Sequence, residues 1–287
     1  NRNWPVNWSK DMPGGASYPF SEPEMKAVGD FLVTHPNIFA GIDLHCGGNG
    51  ILRPSMKPDA EMNQEDLELI LHIGKVAEEI TGFPLIHERE YKEPWRQPIM
   101  LHGNSNDWAY YKMGISHYVI ELGNGFNCAG ISTKEYFLAE PHIRETIFMR
   151  RILKYHDNHK SNLFIQWEEF NHPQLGKIEI GGILQGCGYF MHPPVMEDIA
   201  PKVTDFVIYH AKRHPELIIT NIDVTPMSSE IYRIRALISN VGGLSTRVMK
   251  AGGSVDSNYP IVVKLVVLEG IDIISQIKTF EFNKLDS

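Results

Sequence analysis

Two short apolar runs in this chain each end on a titratable side chain. Phe39-Ala40-Gly41-Ile42-Asp43-Leu44 leads into His45, and Tyr118-Val119-Ile120 leads into Glu121. Both then break into stretches rich in Gly and Asn. A neutral imidazole can ligate zinc, and a carboxylate beside such a metal can take a proton from water. The two types suit metal-assisted hydrolysis if the fold brings them together. A His at a strand end is also a common packing residue, and a Glu before a Gly-rich loop a common hydrogen-bonding one. The pairing alone does not decide between these readings. Cys46 directly follows His45 with no base evident for it, and reads as a small packed side chain.

Other chemistries find little support. No Gly-x-Ser-x-Gly elbow is present, and the glycine pairs at 47–48 and 242–243 lack the Lys-Ser/Thr of a phosphate loop. Cys46, Cys128 and Cys187 form no Cys-x-x-Cys pair, which excludes a cysteine zinc site and a disulfide framework and leaves room for one bridge. His72, His87 and His117 are scattered without ligand spacing and read as surface or packing residues. His102 lies in the loop leading to Asp107, where substrate contact is a second reading. His142 and Glu145 have His-x-x-Glu spacing but follow Pro141 on a helix, and read as a surface pair.

The elements that must position these groups follow from periodicity. Residues 1–20 are a loop by composition, rich in Pro, Gly, Asn and Ser. Ser21 and Glu24 are spaced as a capping box for a helix whose apolar positions are Met25, Val28, Phe31 and Leu32, closed at Pro36. The run before His45 predicts a buried strand and 45–50 a loop. A second helix is expected over Glu65–Ile80 with Gly82 past its end. A strand is expected at Tyr118–Leu122, then a helical segment from Ser132 to His156 broken at Pro141. Helices alternating with apolar strands define an α/β domain with a mixed, mostly parallel sheet and helices on both faces. After a polar linker at 157–162, a loop-rich stretch and a helix at Val195–His214, the pattern changes to period two. Ile219–Val224, Ile231–Ser239, Ile261–Leu268 and Ile273–Phe282 predict a small all-β sandwich. The expected division is 1–160, 161–215 as a connecting segment, and 216–287.

Composition sets outer limits. The 287 residues carry 27 Lys and Arg against 35 Asp and Glu, a formal charge of −8, with no basic stripe to neutralise phosphates. Nucleic acid is not an expected partner, and no apolar run is long enough for a transmembrane segment. The chain opens without Met, a charged region or an apolar core of a signal peptide, so an upstream segment is expected to be missing. The compartment is left open: secreted or periplasmic if that segment carries a signal peptide, cytoplasmic otherwise.

The ordered combination Asn1-Arg2-Asn3-Trp4, Ser21-Glu22-Pro23-Glu24, His45 at a strand end, Asp107-Trp108-Ala109-Tyr110 and Glu121 resembles the zinc carboxypeptidases of the carboxypeptidase A/B-like family. The likeness covers about residues 1–155. It implies Zn2+ as cofactor, the C-terminus of a peptide or protein as substrate, His45 as the third metal ligand and Glu121 as the general base. Asn1 and Arg2 would hold the terminal carboxylate, a natural bidentate partner for guanidinium. Asn106 matches a position that contacts the substrate side chain. The blocks Gly50-Ile51-Leu52-Arg53-Pro54, Trp167 to Gly182 and Asn240-Val241-Gly242-Gly243 are similar to those of a bacterial subset with an appended sandwich. Two departures accompany this. The family's first two zinc ligands, in a His-x-x-Glu motif followed by an arginine, would lie before Asn1, so the chain as given is expected to bind metal poorly and to be nearly inactive. The substrate-capping tyrosine of digestive members falls on Ile99, with Tyr91 or Tyr110 as replacements only after a loop rearrangement. An amide or cell-wall peptide hydrolase on the same site, and a non-catalytic binding module, are the alternatives.

Overall fold

The computed structural model describes residues 1–11, 14–46, 49–90, 102–123, 125–131, 135, 139–159, 164–183, 193–252, 261–274 and 279–282. Helix α1 (Pro23–Thr34) starts one residue later than the capping box predicts. The fixed φ of proline suits the first helical position, so Pro23 takes it and Glu22 becomes the N-cap. The Glu22 N–H is satisfied from elsewhere, by Asn3 Oδ1 at 3.1 Å. Met25 and Leu32 pack inward, whereas Val28 and Phe31 of the expected stripe are exposed.

Strand β1 (Ala40–His45) is followed by β2 (Asn49–Arg53), helix α2 (Gln64–Thr81) and the short β3 (Leu85–His87). Asn63 caps α2 by accepting from the Asp66 N–H, and Gly82 closes it in the left-handed region at φ 74°. After α3 (Ser105–Trp108) comes β4 (Ser116–Leu122). The sheet order is β1-β4-β2-β3, with β1 parallel to β4, β4 antiparallel to β2, and β2 parallel to β3. This is the mixed, mostly parallel sheet the sequence predicts. β4 is buried along nearly its whole length. β1 is not the buried strand expected from its apolar run: among the described residues it pairs only with β4, and Leu44 is exposed.

Helices cover both faces. Tyr118 and Ile120 of β4 point to α2 and to α5 (Pro193–Ala211), in one core with Ile70, Ile73 and Phe206. The other face of β4 meets α3. Helix α4 (Met149–Asn158), reached through a helical turn that begins at Pro141, where the sequence predicts a break, packs Ile152 against Phe126, Ile131 and Phe148 in a separate small core.

The remaining strands are hairpins. β5 (Phe164–His172) pairs antiparallel with β6 (Gly176–Ile183), in a segment where the sequence reading placed no strand. β7 (Leu217–Pro226) pairs with β8 (Tyr232–Asn240), and β9 (Ile261–Lys264) with β10 (Thr279–Phe282). All four C-terminal strands are thus antiparallel, as expected, but β7 is exposed at every residue. No face-to-face packing covers it among the described residues.

The main core is not confined to residues 1–160. Leu244, Val248 and Met249 join it, and Asp66 fastens their segment in place. Its buried carboxylate accepts from the Lys250 N–H at 2.7 Å, the Ala251 N–H at 2.9 Å and the Tyr110 hydroxyl at 3.1 Å. Replacing it leaves three donors unpaired, each costing about 1–3 kcal/mol when buried. Asp66→Ala should therefore lower the unfolding free energy by about 3 kcal/mol or more in urea titration; a loss below about 1 kcal/mol would show that the segment is held by packing alone.

Candidate active site

Register places the two strand-end residues side by side. In the parallel β1–β4 pair His45 lies opposite Glu121, with Nδ1 3.8 Å from Oε1. The His45 side chain is one-third exposed, and that of Glu121 only 8%. Glu121 Oε2 is buried and, among the described residues, has no hydrogen-bond partner. A buried carboxylate oxygen left without a donor is costly.

Side chains alternate along a strand, so the rungs Gly41/His117, Asp43/Val119 and His45/Glu121 share one face. Gly41 makes room there: a Cβ at this position would lie 2.6 Å from the His117 ring. The ring crosses β1 and brings Nε2 to 3.6 Å from Asp43 Oδ1. Burial pushes the Asp43 carboxyl up, but His117, Ser105 and His45 together outweigh it and leave the carboxyl at about 2.

Local packing brings the first residues of the chain to this face. Asn3 Nδ2 donates to the carbonyls of Gly15 and Tyr18, both at 2.8 Å. Trp4 packs on Trp108 and Phe20, and its backbone N–H donates to the Gly103 carbonyl at 3.0 Å. Gly103 sits at φ +64°, where a Cβ would come within 2.3 Å of the Arg2 carbonyl oxygen, so only glycine allows this approach. Asn1 is then held against α3: its Nδ2 donates to Ser105 Oγ at 2.9 Å, and its Oδ1 accepts from the Ser105 N–H at 2.8 Å. Burial lowers the Arg2 pKa, opposed by the carboxyls of Glu88 and Glu121. Arg2, Glu88 and Glu121 therefore share one electrostatic neighbourhood.

Asn106 lies beneath this group and is fully buried. Its Nδ2 donates to Glu88 Oε2 at 3.1 Å and to the Leu52 carbonyl at 3.3 Å, while Oδ1 faces His117 Nδ1 at 3.1 Å. Glu88 is buried, and burial, with Asp107 reinforcing it, raises its pKa to about 8. Asp107 accepts from Asn7 and from the Met56 N–H, yet burial still holds it at about 6.

The structure thus brings together Asn1, Arg2, His45 and Glu121, with Asn106 behind them. Tyr110 is spent elsewhere: it is fully buried and donates to Asp66, which removes it as a substrate cap. Tyr91 and Ile99 lie outside the described residues. His102 faces the Asn7 carbonyl at 2.7 Å. His142 and Glu145 are exposed on the helix surface, as expected. Cys46 is exposed and a free thiol, not the packed side chain expected, because β1 ends beside it. Cys128 is half-buried, and Cys187 lies outside the described residues. Glu88, Asp43 and Ser105, which the sequence does not single out, and His117, expected as a surface or packing residue, are tied into the same cluster.

A catalytic zinc takes three protein ligands. Among the described residues no group of three His, Cys, Asp or Glu could hold a metal. His45 and the orphaned oxygen of Glu121 fit one ligand and one proton acceptor.

A family model described as zinc carboxypeptidase matches residues 1–148, so the chain belongs to that family. Carboxypeptidase A6 of mouse is 33% identical over 138 residues, which cover 42% of this chain and 30% of that protein. The chain therefore spans under a third of the length of this relative. Residues 216–287 match a domain of unknown function. No helix among the described residues is long and apolar enough to cross a membrane.

Glu88 gives the site a pH signature. Its folded pKa of about 8 exceeds the ordinary 4.5, so the native state holds this proton more tightly than the unfolded chain. The associated stability is complete below the unfolded value and is lost as pH rises through the folded one. Glu88→Gln should flatten the fall in melting temperature between about pH 5 and about pH 9. Parallel profiles for the two proteins would mean that Glu88 titrates normally.

Proposed function

We propose that residues 1–148 form the substrate-facing part of a site that removes the last residue from a peptide or protein C-terminus. The side-by-side placement of His45 and Glu121 at paired strand ends, with Arg2 close enough to Glu121 to feel its charge, supports this reading. Arg2 grips the terminal carboxylate, and Asn1 adds a hydrogen bond, so a chain end fits and a mid-chain peptide bond does not. Glu121 stands at the scissile bond, accepts a proton from the attacking water through its unpartnered oxygen, and passes it to the leaving amine. His45 is one zinc ligand, and the set needs two more that the described residues do not complete. When bound, zinc would supply a water of lowered pKa and polarise the carbonyl. Asn106, backed by Glu88, shapes the floor under the terminal side chain. We further place β7–β10 in an appended antiparallel module like that of bacterial members, with 161–215 as the connection. The exposed apolar positions of β7 support a second layer there.

Two measurements test the site. In protein carrying the complete ligand set, Glu121→Gln should lower release of the terminal residue by about 10²–10⁴-fold with unchanged circular dichroism; normal turnover would remove Glu121 from its role. Zinc titration of the chain as given should show weak binding that His45→Ala abolishes. Tight binding that survives the substitution would exclude His45 as a ligand.

A further inference from the structure

Asn1 is an amide, and an amide can sit either way round. Only one orientation offers an N–H to a substrate carboxylate in place of a repelling oxygen. The choice is made by groups behind it. Ser105 presents two atoms to Asn1: a backbone N–H, which can only donate, and a hydroxyl oxygen. That hydroxyl has a single proton, and it is given to Asp43 Oδ2. An ionised carboxylate accepts and never donates, so Ser105 Oγ is left as an acceptor toward Asn1. The two faces of Ser105 then match the amide in one way only, Oδ1 on the N–H and Nδ2 on Oγ. One N–H of Nδ2 remains, and among the described residues it has no partner.

Asp43 is itself fixed. Its second oxygen, Oδ1, faces His117 Nε2 at 3.6 Å, and that ring lies over Gly41 where no side chain competes. Asp43 is two residues from His45 on the same strand face. The orientation of the amide is thereby keyed to the strand that carries the proposed metal ligand.

We propose that Asp43 and Ser105 are positioning residues: Asp43 takes the Ser105 proton and so locks the Asn1 amide with an N–H facing the substrate carboxylate. The inference rests on the reading of Asn1 as a carboxylate contact. It goes beyond that reading by naming what makes the contact attractive.

The test is binding, measured by calorimetry on the full chain, of a short peptide with a free C-terminal carboxylate and of the same peptide amidated. Wild type should prefer the carboxylate. Asp43→Ala and Ser105→Ala should each reduce that preference about tenfold, with affinity for the amide changed by less than about twofold. Ser105→Thr, which keeps the hydroxyl, should retain the preference. A preference unchanged in both alanine variants, or an equal loss for both peptides, would overturn the positioning role. Asn1→Ala separates the two levels. If it too leaves the preference intact, or if wild type has none, the carboxylate reading of Asn1 falls. If it alone removes the preference, only the role of Asp43 and Ser105 falls. Should Asp43→Ala fail to fold by circular dichroism, Ser105→Ala decides.

Discussion

The parallel pairing of β1 with β4 is the constraint on which the site depends. Side chains on a strand alternate with a period of two, so a slip of one residue would send His45 or Glu121 to the opposite face of the sheet. The observed register avoids this along three successive rungs, and the burial of β4 between β1 and β2 holds it. Gly41 is part of the same constraint, since the His117 ring occupies the space its side chain would take.

A second layer of order comes from a segment whose described residues form no helix or strand. Residues 1–22 are cross-braced by groups spaced far along the chain: Asn3 to Gly15, Tyr18 and Glu22, Asn7 to Asp107, and Trp4 to Trp108 and Gly103. A loop tied at so many points can present Arg2 in a fixed place, which a free terminus could not. The cost appears as buried acids. Glu88 and Asp107 are both pushed above the usual carboxylate range, opposed at Glu88 first by the Asn106 hydrogen bond and then by the positive charge of Arg2. Perturbed groups of this kind gather at functional clefts.

The sequence was informative where one local pattern sufficed. Apolar runs ending in His45 and Glu121, the helix over Glu65–Ile80 with Gly82 past its end and the period-two C-terminal strands all announce themselves within a few residues. It was silent where pairing across the chain decides. β2 hides behind the glycines at 47–50, and β3 has only three residues. β5 and β6 carry charge at Glu168, Glu169 and Glu179 that masks their alternation. Glu88 stands in a Glu-Arg-Glu run that reads as solvated surface. Asp43 could have been found by parity, since it shares a strand face with His45. Its tie to Ser105 spans 62 positions and has no local signature. The apolar run of β1 suggests burial, but burial depends on what lies alongside, and Leu44 stays more than half exposed.

The clasp made by Asp66 bears on how this molecule can be divided. The match to the zinc carboxypeptidase family stops at residue 148, yet the side chains that finish its interior come from Phe206, Leu244 and Met249, well beyond that limit. A polypeptide cut at 148 would bare one flank of α2 and of β4 to water and strand the Asp66 carboxylate without its backbone donors. The boundary recorded by sequence likeness is thus not a boundary of folding, and severing the later segment would undo the scaffold around His45 and Glu121.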